Sequence, residues 1–428
     1  MRFPVQLGYR ALAQIARGAA FVTPNSNSKL LRSLRARRGI RSRYRRWGAA
    51  HRDASRPLLW MHAPSVGEGL QARPVLQLAR RERPDLQLAY TFYSPSAAPF
   101  ARGLDVDFAD YLPFDTVGDG KAALDALAPR ALVFSKLDVW PNLARIAAER
   151  GVRLGLVSAT LAEGSSRRRG MATRLLSDAY ARLDAVGAID ARDAERLVGL
   201  GVRRDRIEVT GDTRYDQVWA RVHGVDRAAA LVATLASDRP TLVAGSTWPA
   251  DERPLLAAWS KLRTAIPEAR LVIAPHEPTE SHLTPIERWA AESRVRSARL
   301  GGDDAPNADV VVVDRVGVLG DLYALATVAY VGGGFHAAGL HSVLEPAAFG
   351  VPVLYGPRYG NSRDAELLID AGGGASEPTE TGLESRLRTW LTDDSARRQA
   401  GHAARDLVER GLGAAARSWK LVANLLGA

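Results

Sequence analysis

Glu68 stands between two glycines, Gly67 and Gly69, in the segment HAPSVGEGLQARP (62–74), directly after an apolar run. A carboxylate at such a turn has two uses. As a first-turn acid it favours the helix dipole by about 0.3–1 kcal/mol. With no bulky neighbours it can instead reach a bound hydroxyl and act as a general base. The residues alone leave these uses balanced. Ser65 suits the N-cap of the following helix, and both glycines permit positive φ. A second segment, SKLDVWPN (135–142), sets Lys136 and Asp138 two apart before a helix start at Trp140 and Pro141. On its own it reads as a capped helix with a surface ion pair.

The second half of the chain has a different chemistry. In GSTWPADE (245–252), Ser246 and Thr247 precede a helix start that carries acids, and both hydroxyls can donate to a phosphate. APHEPTE (274–280) puts His276 at the end of an apolar run, where ligands bind, although a lone histidine is more often structural. Gly332, Gly333 and Gly334 end another run and lead to HSVLEPAAFG, a helix opened by His341 and Ser342 with free N–H groups. Glu345, about one turn in, suits a ribose diol. A phosphate at a helix N-terminus with an acid for ribose is the logic of a nucleotide-sugar site. GPRYGNSRD adds Arg358, Asn361 and Arg363. DVD (105–107) matches the D-x-D of metal-dependent glycosyltransferases, but three-residue matches are common by chance and this half lacks the nucleotide loop. No catalytic metal is expected.

Alternating strands and helices must position these residues. Apolar, β-branched runs at 57–63, 86–94, 131–135, 153–159, 185–189 and 207–211 predict one series of strands. Runs at 241–247, 270–275, 310–314, 327–333 and 352–357 predict a second. They lack polar alternation, as strands buried on both faces do. Helical spacing between them makes the fold class α/β, two doubly wound, Rossmann-like halves facing across a cleft. The expected divisions are a basic arm at 1–52, an acceptor domain at 53–220, a linker at 221–238, a nucleotide-sugar domain at 239–400, and C-terminal helices at 401–428 packing back on the first domain.

The chain has no cysteine, which excludes disulfides, thiolate nucleophiles and cysteine-ligated metals. Its net charge of +11 is concentrated, because the first 52 residues hold 13 Lys/Arg and no Asp/Glu. No apolar stretch there reaches the roughly 20 residues of a membrane span, and Arg10 and Arg17 interrupt any signal-peptide core. Helical spacing puts Gln6, Arg10, Gln14 and Arg17 on one side and Val5, Tyr9, Leu12, Ala16 and Ala19 on another. With the arginine-rich KLLRSLRARRGIRSRYRRW that follows, this predicts an interfacial helix and a polybasic stretch on an anionic membrane surface. A solvated basic tail is the alternative. Nucleic acid would use the same charges, but no nucleic-acid motif follows, so none is expected as partner.

Read in order, HAPSVGE, YLPFD, DVWPNL, GDTRYD, GST, DRVGVLGDLYALATVAYVGGGF and HSVLEPAAFGVPVLYGP with Asn361 resemble the 3-deoxy-D-manno-octulosonic acid (Kdo) transferases of lipopolysaccharide synthesis, over about residues 1–415. The resemblance implies a GT-B fold and metal-independent, inverting transfer from CMP-Kdo to a lipid A precursor at the cytoplasmic face of the inner membrane. No cofactor is implied beyond that donor substrate. Glu68 would be the general base, with Ser65, Gly67, Arg73, Lys136 and Asp138 toward the acceptor. Ser246, Thr247, His276, Gly333, Gly334, His341, Ser342, Glu345 and Asn361 would hold the nucleotide sugar.

Some positions depart from the family pattern. Lys136 stands where many members have an acid, and Asp138 shortens a second acid. His276 replaces Arg, Glu277 replaces His, Ser342 replaces Asn, and Val318 replaces an acid. These departures keep two alternatives open: a GT-B transferase or epimerase using a UDP-sugar, and a non-catalytic membrane-associated binding protein on the same scaffold. No dinucleotide fingerprint supports an oxidoreductase.

Overall fold

The computed structural model describes residues 3–24, 28–168 and 170–427; Met1, Arg2 and residues 25–27 of the expected arm lie outside them. The chain divides into two units, Met1–Gln217 with Leu412–Ala428, and Val218–Gly411. The first holds seven strands: β1 Leu58–His62, β2 Gln87–Phe92, β3 Phe108–Tyr111, β4 Ala131–Ser135, β5 Arg153–Ala159, β6 Ala185–Ala188 and β7 Ile207–Val209. They pair in parallel in the order β3-β2-β1-β4-β5-β6-β7. The second holds β8 Thr241–Thr247, β9 Arg270–Pro275, β10 Ser297–Arg299, β11 Val310–Val312, β12 Val328–Val331, β13 Val353–Tyr355 and β14 Gly374–Ser376. These are also parallel, in the order β10-β11-β9-β8-β12-β13-β14.

Strand order reverses at β1, which lies between β2 and β4, and at β8, which lies between β9 and β12. Crevices at the carboxyl ends of such switch points are where doubly wound sheets bind ligands. The segments that begin after His62, Ser135, Thr247 and Val331 all leave strands that flank a switch point. The fold therefore gathers the chemically distinctive segments into one group on each unit.

The arm is less free than its composition predicts. Helices Lys29–Ala36 and Ile40–His51 belong to the first unit, with Ile40 and Tyr44 in its core. Tyr44 meets Phe108 edge-on at 4.8 Å, and its hydroxyl donates to the Tyr111 carbonyl at 2.8 Å. The Arg37 guanidinium is buried, donates to the Leu112 carbonyl at 2.8 Å and lies over the Tyr93 ring; burial lowers its pKa to about 10. Arg43 pairs with Asp110 at 2.7 Å, and Arg17 and Arg41 both pair with Asp119. A local charge count cannot see these acids, because they arrive from about β3 onward.

The first helix, Phe3–Val22, also turns differently from the spacing argument. Tyr9 faces inward and donates to Asp115 at 2.7 Å, whereas Leu12, expected on the same side, is exposed. Leu7, Ile15, Phe21 and Val22 are exposed with it. We expect Tyr44→Ala to cost about 3–5 kcal/mol in denaturant unfolding, as for other large aromatic core truncations. A loss under about 1 kcal/mol would mean that helix Ile40–His51 is a peripheral arm after all.

The division between units differs from the expected linker. It falls between Gln217 and Val218, and the second unit includes residues 218–238, with Val232 and Leu235 buried. Of the expected returning tail, helix Asp394–Arg410 stays with the second unit, and only residues from Leu412 join the first. There helix Ala414–Leu426 packs on helix Val66–Glu82. Asp216 accepts from the Gly413 and Ala415 amides at 2.8 and 2.9 Å, and Trp419 donates to Glu82 at 2.7 Å.

Candidate active site

On the first unit, Glu68 lies in the first turn of helix Val66–Glu82, beyond the carboxyl end of β1. Ser65 occupies the N-cap position and its carbonyl accepts from the Gly69 amide at 2.9 Å, but its side chain does not cap the helix backbone; the hydroxyl donates to the Glu68 carboxylate instead. Lys136 Nζ lies 3.5 Å from Glu68 Oε1. Lys136 follows β4 with φ 66°, a left-handed turn uncommon for a residue with a side chain. The two glycines serve different ends, and neither has positive φ. Only Ser65 Oγ lies within 4 Å of a Cβ built on Gly67, so that flank of Glu68 is open. A Cβ on Gly69 would meet Phe100 at 2.5 Å and the Tyr90 hydroxyl at 2.7 Å. Gly69 therefore lets the helix seat on two rings and leaves no room for an acceptor.

Two residues assigned to the acceptor meet other groups of the protein. Asp138 accepts from His62 Nε2 at 3.1 Å and from the Trp140 indole at 2.9 Å. Burial opposes its charge, yet these donors hold its pKa below the ordinary carboxylate range. Arg73 is exposed on another face of the helix, beside Arg80 and Asp105. Asp105 and Asp107 of the D-x-D match both pair with Arg80. His62, which the sequence reading did not single out, is fully buried at the end of β1, its Nδ1 3.0 Å from Thr91. The YLPFD and DVWPNL segments also meet here. Asp115 accepts from the amides of Asn142 and Leu143 at 3.0 and 2.7 Å, and so caps helix Pro141–Glu149.

On the second unit the organising residue is Asp251, also not singled out by the sequence reading. It is fully buried and accepts from the amides of Trp248, Gly333 and Phe335 at 3.0, 2.8 and 2.9 Å. It thereby ties the glycine loop to the start of helix Pro249–Ala265. The amides of 333 and 335 are thus not free to cradle a phosphate. The glycines are required by contact: a Cβ on Gly332, Gly333 or Gly334 would meet backbone at 2.2–2.4 Å. Thr247 is likewise committed, donating to Glu252 at 2.9 Å. Both oxygen and nitrogen of the Asn361 amide bond the Leu340 backbone at 3.0 Å, so Asn361 fixes the loop before His341. The short helix begins at Leu344, not His341, which puts Glu345 in its first turn.

Groups left facing outward are Ser246, at φ 53°, Ser342 and a set of rings around Trp248. Trp248 stacks on His336 at 4.4 Å and lies 4.8 Å from His276, which stacks on His341 at 4.3 Å. The Trp248 indole donates to His341 Nε2 at 3.1 Å, fixing the neutral tautomer with the proton on Nδ1. Burial, aided by His276 and His336, lowers the His341 pKa to about 4. Glu345 is mostly buried and burial raises its pKa, Arg221 opposing and Asp321 adding to the rise.

The His341 shift has a stability consequence. Between its ordinary pKa of 6.5 and about 4 the unfolded chain binds a proton that the folded chain refuses. Stability present above that window is lost as pH falls through it. His341→Gln is expected to flatten this part of the acid-unfolding profile. An unchanged slope would show that the folded ring titrates normally.

Residues 37–217 match the family model described as 3-deoxy-D-manno-octulosonic-acid transferase (kdotransferase). The 3-deoxy-D-manno-octulosonic acid transferase of Bordetella pertussis is 31% identical over 400 residues, 89% of this chain and 91% of the relative. That of Haemophilus influenzae is 24% identical over 390 residues, 90% of each. A UDP-GlcNAc 2-epimerase from Neisseria meningitidis, solved with UDP-GlcNAc, aligns with a TM-score of 0.57 at 12% identity, covering 82% of this chain and 98% of that one. At such identity the likeness is one of fold, and the fold is GT-B.

Proposed function

The chain belongs to the 3-deoxy-D-manno-octulosonic acid transferase family and is a glycosyltransferase, and from that premise we propose the reaction in detail: Kdo passes from CMP-Kdo to a lipid A precursor, with inversion and without a catalytic metal or other cofactor. The observation that carries the reading is Glu68 itself, a partly exposed carboxylate beyond a switch-point strand, with open space at Gly67. An acceptor hydroxyl bound there gives its proton to Glu68 as its oxygen attacks the anomeric carbon. The bond from that carbon to the phosphate oxygen breaks, and its electron pair leaves with CMP. Attack opposite the leaving group inverts the centre. Ser65 and Lys136 hold the base in place. His62 and Trp140 hold Asp138, which orients the neighbouring turn rather than touching the acceptor.

For the donor, Asp251 and Asn361 shape the loops, while Ser246, Ser342 and the imidazoles of His276 and His341 offer donors to the phosphate. Glu345, mostly buried and with no hydrogen-bond partner among the described residues, suits the ribose hydroxyls. Calorimetry should give CMP at least about tenfold higher affinity than UDP, a difference one or two base contacts supply. Equal affinities would favour a UDP-sugar.

The reaction is assigned to the cytoplasmic face of the inner membrane. Among the described residues no helix is long and apolar enough to cross a membrane. What supports surface attachment is the exposed row Leu7, Ile15 and Val22 on the first helix, together with Arg45 and Arg46 exposed on helix Ile40–His51. We expect binding to anionic vesicles that weakens with salt. Ile15→Asp should weaken it at all salt concentrations. Equal wild-type binding to neutral vesicles in high salt would contradict the electrostatic part.

A further inference from the structure

Three arginines that the mechanism does not use converge on a recess of the first unit. It is a small, partly open recess among helices Phe3–Val22, Pro141–Glu149 and Gly170–Tyr180, with a cavity volume of about 40 Å³. Its polar neighbours are already engaged. Tyr9 and Asn142 bond Asp115, and Gln6 donates to Asp178 at 2.8 Å. The guanidiniums keep N–H groups to spare. Arg10 and Arg182 have no ion-pair partner among the described residues, and the Nε–H groups of Arg10 and Arg145 are buried without an acceptor. Arg145 uses only its Nη1 on Glu149. One carboxylate, Asp178, faces the same recess and is engaged by its own donors.

Buried N–H groups of a charged side chain are costly to leave unpaired. Three arginines lining one small recess offer N–H groups that suit the oxygens of a phosphate, which accepts bidentate bonds. The helix that contributes Arg10 also bears the exposed row of Leu7, Ile15 and Val22. A phosphate attached to an apolar chain would satisfy both at once.

We propose that this recess is a phosphomonoester-binding site in which Arg10, Arg145 and Arg182 grip the phosphate of a membrane lipid. The lipid as source rests on the membrane-surface reading above; the phosphate chemistry does not. A free phosphate has the same chemistry, and the two sources separate experimentally.

In the vesicle arm, phosphatidylcholine vesicles carry either phosphatidate or, at equal surface charge, the phosphodiester phosphatidylglycerol. The wild-type protein should prefer phosphatidate by about tenfold, the scale of one charge-assisted bond. Arg10→Gln should bring that ratio close to one, and so should Arg182→Gln, whose exposed side chain can be changed without unfolding the protein. Arg45→Gln, an exposed arginine elsewhere, should weaken both vesicles alike. In the soluble arm, inorganic phosphate should raise the wild-type Tm above a chloride control of equal ionic strength, and less so in Arg10→Gln. If no vesicle binds but this Arg10-dependent shift persists, the membrane reading fails and the site stands with free phosphate as its source. A wild-type ratio of one with no Arg10-dependent shift overturns the site, whatever the membrane result. So does a ratio that both arginine variants leave unchanged.

Discussion

Glu68→Gln is expected to lower kcat by about 10²–10⁴-fold, the usual contribution of a positioned general base. CMP affinity should stay within about twofold, because no donor-binding group is changed. The substitution keeps the size of the side chain and an oxygen for the Ser65 hydroxyl, and removes the charge that can take a proton. If Glu68 were only a helix-terminal acid, the variant would lose about 0.3–1 kcal/mol of stability and little rate. The geometry already weakens the cap reading, since the Ser65 hydroxyl at the N-cap bonds the Glu68 carboxylate rather than a helix amide. Unfolding and turnover measured on one preparation separate the two roles.

Asp251→Ala should be the most damaging change on the second unit. It leaves the amides of Trp248, Gly333 and Phe335 without their acceptor in a buried setting. At roughly 1–3 kcal/mol for each orphaned group, the loss should be about 3 kcal/mol or more. The effect should also be local. Amide exchange at Gly333 and Phe335 should accelerate, and CMP affinity should fall at least about tenfold as the loop loses its fixed shape. Unchanged exchange at those amides would mean that the close backbone contacts of Gly332 with Ser246, Gly333 with Gly339 and Gly334 with Gly356 hold the loop alone.

Much of the scaffold was legible because buried parallel strands leave uninterrupted apolar runs. The strands the reading did not predict, β3, β10 and β14, all lie at sheet edges. There burial is incomplete and the apolar signal fades. Motif segments were legible for a related reason, since they follow strands whose ends the fold brings to a switch point. The roles of individual residues were less so. Thr247, Asn361 and Asp138 look like ligand donors in a linear string, yet each is engaged by a partner distant in sequence or brought near by a turn. Asp251 and His62 were invisible for the same reason, because their importance lies in what they meet. The arm shows the limit of charge counting. Arg17, Arg37, Arg41 and Arg43 read as a free basic surface until Asp110, Asp119 and the Leu112 carbonyl fold against them.

The most direct test of the account is the mass of the lipid after reaction. Purified protein is incubated with CMP-Kdo and a tetra-acylated lipid A precursor in the presence of a chelator, and the lipid is weighed by mass spectrometry. The account predicts a lipid heavier by whole Kdo residues, one CMP released for each, and no such product from Glu68→Gln. Unmodified lipid in a sample that binds CMP, or CMP-Kdo broken down to free Kdo with no lipid product, would contradict it.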